Sequence, residues 1–234
     1  MSSDPPINVQ TGSFFQTWIQ ALTKPRETTY AALAASPKAK ATTAYLWVFL
    51  CSFAPAAVSM VVSGSQLTRQ LAEAGVDTEQ LGGGLGGALV NFLCITPFAA
   101  VVGVVGFLIS VALMQWIAKM FGGQGSFDQL AYVLGAITAP ALLVSALLTL
   151  PTAIPLVGLC FAGLGAVFSI YVLVLEVMAI KGVHRFGWGP AIGTFIVPGL
   201  AIALVCCCAV VLLLSVTGIA MGDVWSTINQ SLMQ

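Results

Sequence analysis

The chain has 234 residues, of which 59% are hydrophobic and 7% charged, and its eight basic and eight acidic side chains leave a formal net charge of zero. A soluble domain is about 25% charged, so this composition excludes an ordinary water-facing globule, and the absence of a basic field excludes a nucleic-acid-binding surface. Several apolar runs exceed the roughly 18 residues that mark a bilayer-crossing helix, which defines an all-α, polytopic integral membrane protein.

Residues 1–40 form the one sizeable hydrophilic region and are expected to be a cytosolic N-terminal segment. Within it Phe14, Phe15, Trp18, Ile19 and Leu22 recur at helical spacing, with Gln16, Thr17 and Gln20 opposite. That pattern predicts an amphipathic helix lying in the membrane interface with its aromatic edge buried. Pro25 ends it, and a second short segment follows over residues 26–35. Ser36 is placed as N-cap and Pro37 as the first helical residue of the first span. The first hydrophobic run comes too late for a signal peptide and has no small-residue cleavage site.

A membrane domain is expected over residues 41–221, with five spans at about 43–62, 88–118, 127–150, 156–180 and 191–216, and a short extracytoplasmic tail over 222–234. Tyr45 and Trp47 suit the interface at the start of the first span, and Pro55 predicts a kink in it. The loop at 63–87 reads as a short interfacial helix, with Leu67 and Leu71 one turn apart beside Arg69, Glu73, Asp77 and Glu79, and then a flexible glycine tract. Those glycines lack the lysine-hydroxyl ending and the preceding strand of a phosphate-binding loop.

The second span would be roughly 46 Å long as a straight helix against a hydrocarbon core of roughly 30 Å, so it must tilt, bend at Pro97 or project. Asn91 falls near its outer end. Pro140 lies inside the third span, Pro198 inside the fifth, and Pro151 with Pro155 brackets a tight reversal. In the fourth span Gly158, Ala162, Gly165, Ala166 and Ser169 have the small-residue spacing that admits a closely packed neighbour.

Between the second and third spans lies the most polar interruption of the apolar sequence, around Gly-Gly-Gln-Gly-Ser-Phe at 122–127. Gly122, Gly123 and Gly125 can take φ > 0 and stop the incoming helix. Ser126 is the N-cap of the next, Gln129 completes a capping box, and Asp128 complements the helix dipole.

With five spans, Lys24, Arg26, Lys38, Lys40, Lys119, Lys181 and Arg185 fall on one side and Arg69 on the other. That bias places the N-terminus in the cytosol and the C-terminus outside. The odd number of spans leaves no room for two equal inverted halves.

Chemistry is sparse. Cys51, Cys94, Cys160, Cys206, Cys207 and Cys208 all fall within spans without the spacing of a metal site or disulfide framework, and read as small packing residues. His184, beside Lys181 and Arg185, reads as a surface residue of a cytosolic turn. Glu176 is the one ionisable residue inside a span; it lies about a turn from the cytosolic end, where it can reach toward Lys181 or His184. No nucleophile-base or paired-carboxylate arrangement suggests an enzyme, and no cofactor or metal is implied.

The Gly-Gly-Gln-Gly-Ser-Phe reversal, the helix over 129–134 after it, and Ala139-Pro140 resemble the signature region of the Yip family, the Ypt-interacting membrane proteins. So do the segment from Trp18 to Pro25 before the first span, and Tyr171 followed by the His184 loop between the last two spans. The resemblance covers about residues 14–215. It implies a five-helix bundle with a cytosolic N-terminus. Eukaryotic relatives are associated with Rab-type GTPases and early secretory membranes, and the lean N-terminus and short loops look more like the bacterial type. The expected setting is the bacterial cytoplasmic membrane, or a secretory-pathway membrane in a eukaryote.

Three functions fit these features: a non-catalytic scaffold or adaptor binding proteins or lipids through its cytosolic face, a small transporter or channel with proline-bent spans, and an accessory subunit of a larger complex. Scarcity of intramembrane polar residues favours the scaffold. Its partners would be the bilayer and either a membrane protein or a second copy of the chain. The candidate contact residues are Trp18, Lys119, Gly122, Gly123, Gln124, Ser126 and Trp188, which combine exposed aromatic rings, positive charge and glycine turns.

Overall fold

A computed structural model of the protein describes residues 13–73 and 85–216. Asp77, Glu79, the first glycines of the tract and the tail at 222–234 lie outside the described residues, as do the side chains of Leu67, Arg69, Leu71, Glu73, Asn91 and Cys206. The described chain folds as α1 (Phe14–Thr23), α2 (Glu27–Ala34), α3 (Ala41–Glu73), α4 (Leu85–Met120), α5 (Phe127–Thr149), a 3-10 turn (Leu150–Ala153), α6 (Pro155–His184) and α7 (Trp188–Val216). Among the described residues four stretches are long and apolar enough to cross a membrane: Ala41–Met60, Phe92–Met120, Phe127–Thr152 and Leu156–His184. A shorter apolar stretch, Trp188–Ala201, opens α7.

The centre of the bundle is α5. Every residue from Leu130 to Ile137 is buried, because α5 is packed against α3, α6 and α4, and also against α1 and α2. It approaches α3 closely at Gly135, where a Cβ would stand 2.5 Å from the Cβ of Ala44. Small residues matter here because lipid tails are as apolar as side chains, so helices in a bilayer gain mainly from close packing. Elsewhere the apolar side chains point outward: Leu93, Phe98, Leu156 and Leu159 are all more than 60% exposed, as expected of surface that lipid covers.

Several expectations require correction. The apolar stretch of the first span ends at Met60, but its helix does not stop there: α3 continues to Glu73, so no separate interfacial helix begins at 63, and the last glycines of the tract, Gly86 and Gly87, belong to the first turn of α4. As straight rods α3 and α4 would each measure roughly 50 Å, so both extend past a hydrocarbon core. Ser36 and Pro37 do not open α3. They form a turn in which Ser36 Oγ accepts from the Lys38 amide, and the helix starts at Ala41, whose N–H donates to Asp128 Oδ1 of α5 at 3.0 Å. A tertiary cap thus replaces the expected local one.

The small residues of the fourth span do not face a helix among the described residues. Gly163 and Gly165 have open space around them, Ala162, Ala166 and Ser169 are exposed, and Gly158 alone is tight, against Thr152. Packing of α6 is concentrated near its other end, at Leu175, Ala179, Ile180 and Val183. The cysteines likewise are not all packing residues: Cys51 is buried, while Cys94, Cys160, Cys207 and Cys208 are exposed.

Candidate functional site at the basic end of the bundle

The ends of α2, α4 and α6 and the starts of α3, α5 and α7 meet at one end of the bundle, which gathers Lys24, Arg26, Lys38, Lys40, Lys119, Lys181 and Arg185. Arg69 lies toward the opposite end of α3. Against these seven cations the basic end holds only two described carboxylates, Glu27 and Asp128.

The glycine reversal is built as a helix stop. Gly122 has φ +81, its amide donates to Lys119 O at 3.0 Å, and the Gly123 amide donates to Ala118 O at 2.8 Å. These two bonds with a left-handed glycine are the Schellman arrangement, which satisfies the last carbonyls of α4. Gly123 and Gly125 do not have positive φ, contrary to expectation. Their requirement is space: a Cβ on Gly123 would lie 2.6 Å from His184 Nδ1, and one on Gly125 would lie 2.5 Å from Val183 Cγ1. The loop is tied down further by Gln124 N–H to His184 O at 3.3 Å and by Gln115 Nε2 to Gly125 O at 2.9 Å. The capping box forms as read, with the Gln129 amide donating to Ser126 Oγ and the Ser126 amide to Gln129 Oε1.

His184 is therefore not a surface residue. It is 1% exposed, stacked on Phe186 with ring centroids 5.4 Å apart, and wedged against the glycines. Neither ring nitrogen has a hydrogen-bond partner among the described residues. After it Arg185 takes φ 56 and caps α6, holding its side chain outward.

Across from this loop, α2 lies on α6. Gly182 permits the approach, since a Cβ there would stand 2.8 Å from Glu27 O. Lys181 forms an ion pair with Glu27 and places its ammonium 4.2 Å from the centroid of Trp188. The Tyr171 hydroxyl donates to Leu22 O, and the Tyr30 hydroxyl to Ala21 O at 2.9 Å. Burial, reinforced by the Tyr171 phenol, pushes the Tyr30 pKa above its usual value, so the group remains a donor. Lys181 thus pairs with α2 and not with Glu176. Glu176 is partly buried on α6 and forms no ion pair among the described residues.

Between α2, the glycine loop and the end of α6 opens a cleft of about 200 Å³, lined by Ala31, Ala34, Ala35, Gln124, Gly125, Gln129, Gly182, Val183 and Arg185. Of the sequence candidates, Gln124 lines it directly, Ser126 holds Gln129 on its wall, and Gly122 and Gly123 shape the loop. Lys119 is exposed on the last turn of α4, and Trp188 is 48% exposed beneath Lys181. Trp18 does not join this group or stand exposed. Its ring is 9% exposed and meets Trp47 edge-on at 5.8 Å, and Trp47 in turn packs on Tyr132. The sequence reading missed Glu27, Gln129 and Arg185 as members of the site; the alanines and Gly182, small residues at helical spacing on α2 and α6, were the available signal.

Among the described residues no group of three or more His, Cys, Asp or Glu side chains could hold a metal. Long apolar helices around a buried centre, with polar groups and cations gathered at one end, define a polytopic helical membrane protein. The Yip1 domain family matches residues 19–220, and the chain belongs to the Yip family of membrane proteins. No curated protein and no solved structure matches it.

Proposed function

We propose that the protein is a non-catalytic scaffold or adaptor of the bacterial cytoplasmic membrane, with its basic end in the cytosol, its C-terminus outside, and a partner protein docked on the cleft between α2 and α6. The observation that carries this reading is the cleft itself. It has an alanine and glycine floor that can admit a side chain, a rim of Gln124, Gln129 and Arg185 that can hydrogen-bond it, and a surrounding excess of cations. Arg185 forms no ion pair among the described residues, and its planar fork suits a carboxylate. The fitting partner is a membrane-associated protein presenting an acidic segment. Lys119, Gln124 and Trp188 border or approach the same face, and the Lys181 ammonium between Glu27 and Trp188 fixes α2 as one wall.

The experiment is purification of the full chain in nanodiscs, with mass spectrometry of co-purifying proteins, for wild type and Arg185→Glu. A partner retained by wild type and lost with Arg185→Glu is expected. Retention of the same proteins by both would refute the cleft as the docking place. The orientation is checked with cysteines placed at Gln124 and Ile154 in a cysteine-free background: an impermeant thiol reagent applied to intact cells should label the second and not the first.

A further inference from the structure

A second cleft, of about 380 Å³, opens between α1, the turn at 36–40 and the starts of α3 and α5, and shares no lining residue with the first. Its size falls among small-ligand sites, about 300–1,000 Å³. Two exposed lysines, Lys38 and Lys40, stand on its wall, and neither forms an ion pair among the described residues. Thr17, Thr43 and Tyr132 also line it, with the Thr17 and Tyr132 side chains hydrogen-bonded to each other, and Trp47 and Phe14 bring rings. Thr43 lies in the first turn of α3, so the positive end of a long helix dipole also faces this region. The nearby Asp128 carboxylate is engaged by the Ala41 amide.

We infer that this cleft seats the phosphate headgroup of an anionic membrane lipid. Two cations and hydroxyl-bearing side chains lining a pocket of this size match a phosphodiester with a polar substituent, which accepts hydrogen bonds through its oxygens and carries the compensating charge. The lipid source follows from α1. Phe14, Phe15 and Ile19 are 57%, 58% and 48% exposed on that helix, an apolar edge suited to acyl chains, and Phe14 itself lines the cleft. The pocket therefore sits where apolar surface gives way to lysine, the level of a lipid phosphate. Basic residues at this level draw anionic lipids to a membrane protein generally; here a preformed cavity adds a place for one molecule. This inference does not depend on the protein-docking cleft.

Native mass spectrometry of the full chain, extracted from vesicles of equimolar phosphatidylglycerol and phosphatidylcholine, tests it. Wild type should retain one phosphatidylglycerol in preference to phosphatidylcholine. Lys38→Gln and Lys40→Gln should each weaken that preference about fivefold. Lys24→Gln with Arg26→Gln, cations of the same end outside the cleft, should leave it unchanged. Equal losses in both sets would mean diffuse attraction to the charged end and overturn the site, as would absence of any preference in wild type. Thr17→Val, which keeps every charge, should also weaken retention; unchanged retention would show that the lipid does not touch this wall of the cleft and would overturn the site. Soluble glycerol 1-phosphate provides the remaining arm. If it displaces the lipid and binds equally well in detergent without lipid, the cleft takes free phosphate esters and the lipid assignment fails.

Discussion

Gly123 and His184, on different helices' ends, are in contact so close that a methyl group on the glycine would stand 2.6 Å from the imidazole Nδ1 and 2.9 Å from Ala118 O. This contact joins the end of α4 to the end of α6. Overpacking into a site with a backbone atom on one side costs about 1–3 kcal/mol, because the ring must leave its stack on Phe186 or the loop must shift. Gly123→Ala should therefore lower the unfolding midpoint in detergent, whereas Gly106→Ala, with open space around the glycine of α4, should leave it unchanged or raise it. Equal behaviour of the two variants would show that the loop yields without cost.

His184 itself makes a sharper case. A buried polar group without a partner contributes less than an apolar group of the same shape, and both its ring nitrogens lack one among the described residues. His184→Phe should match or exceed wild type in thermal stability. His184→Ala should lose about 2–5 kcal/mol by opening a cavity. A phenylalanine variant as unstable as the alanine one would mean that the nitrogens have a stabilising role.

Asp128 serves two helices at once, in the first turn of α5 and as acceptor for the Ala41 amide that begins α3. Asp128→Ala removes both and should cost about 1–2 kcal/mol. Asp128→Asn keeps an acceptor oxygen and should recover more than half of that loss. Chemical denaturation of the two variants side by side checks the order; an asparagine variant no better than alanine would assign the effect to charge alone.

What could be read from the sequence follows the range of the interactions involved. The bounds of α5 and its capping box were legible because Ser126, Asp128 and Gln129 act within four residues of one another. The start of α3 was not, since its acceptor Asp128 stands 87 residues away and Ser36-Pro37 is a locally plausible helix start that a tertiary contact overrode. Trp18 was read as an interfacial aromatic from its place on an amphipathic helix, but Trp47 offers it an aromatic neighbour. His184 was misread for the same reason: flanking charges suggested water, while the glycines that enclose it lie some sixty positions earlier. Small residues on α6 were read as a packing face, but spacing that permits close packing does not supply a partner, and Gly163 and Gly165 have open space around them. Gly182, closer to its end, is where α2 docks.

The central claim is that the working face is the basic end, around the cleft of Gln124, Gln129 and Arg185. A photo-crosslinking residue placed at Gln124, and in a separate chain at Ile154 on the opposite turn, 54% exposed, tests it most directly in living cells. Crosslinks to another protein should arise from position 124 and be lost when Arg185→Glu is added. Crosslinks arising from position 154 alone would contradict the account and move the working face to the other side of the membrane.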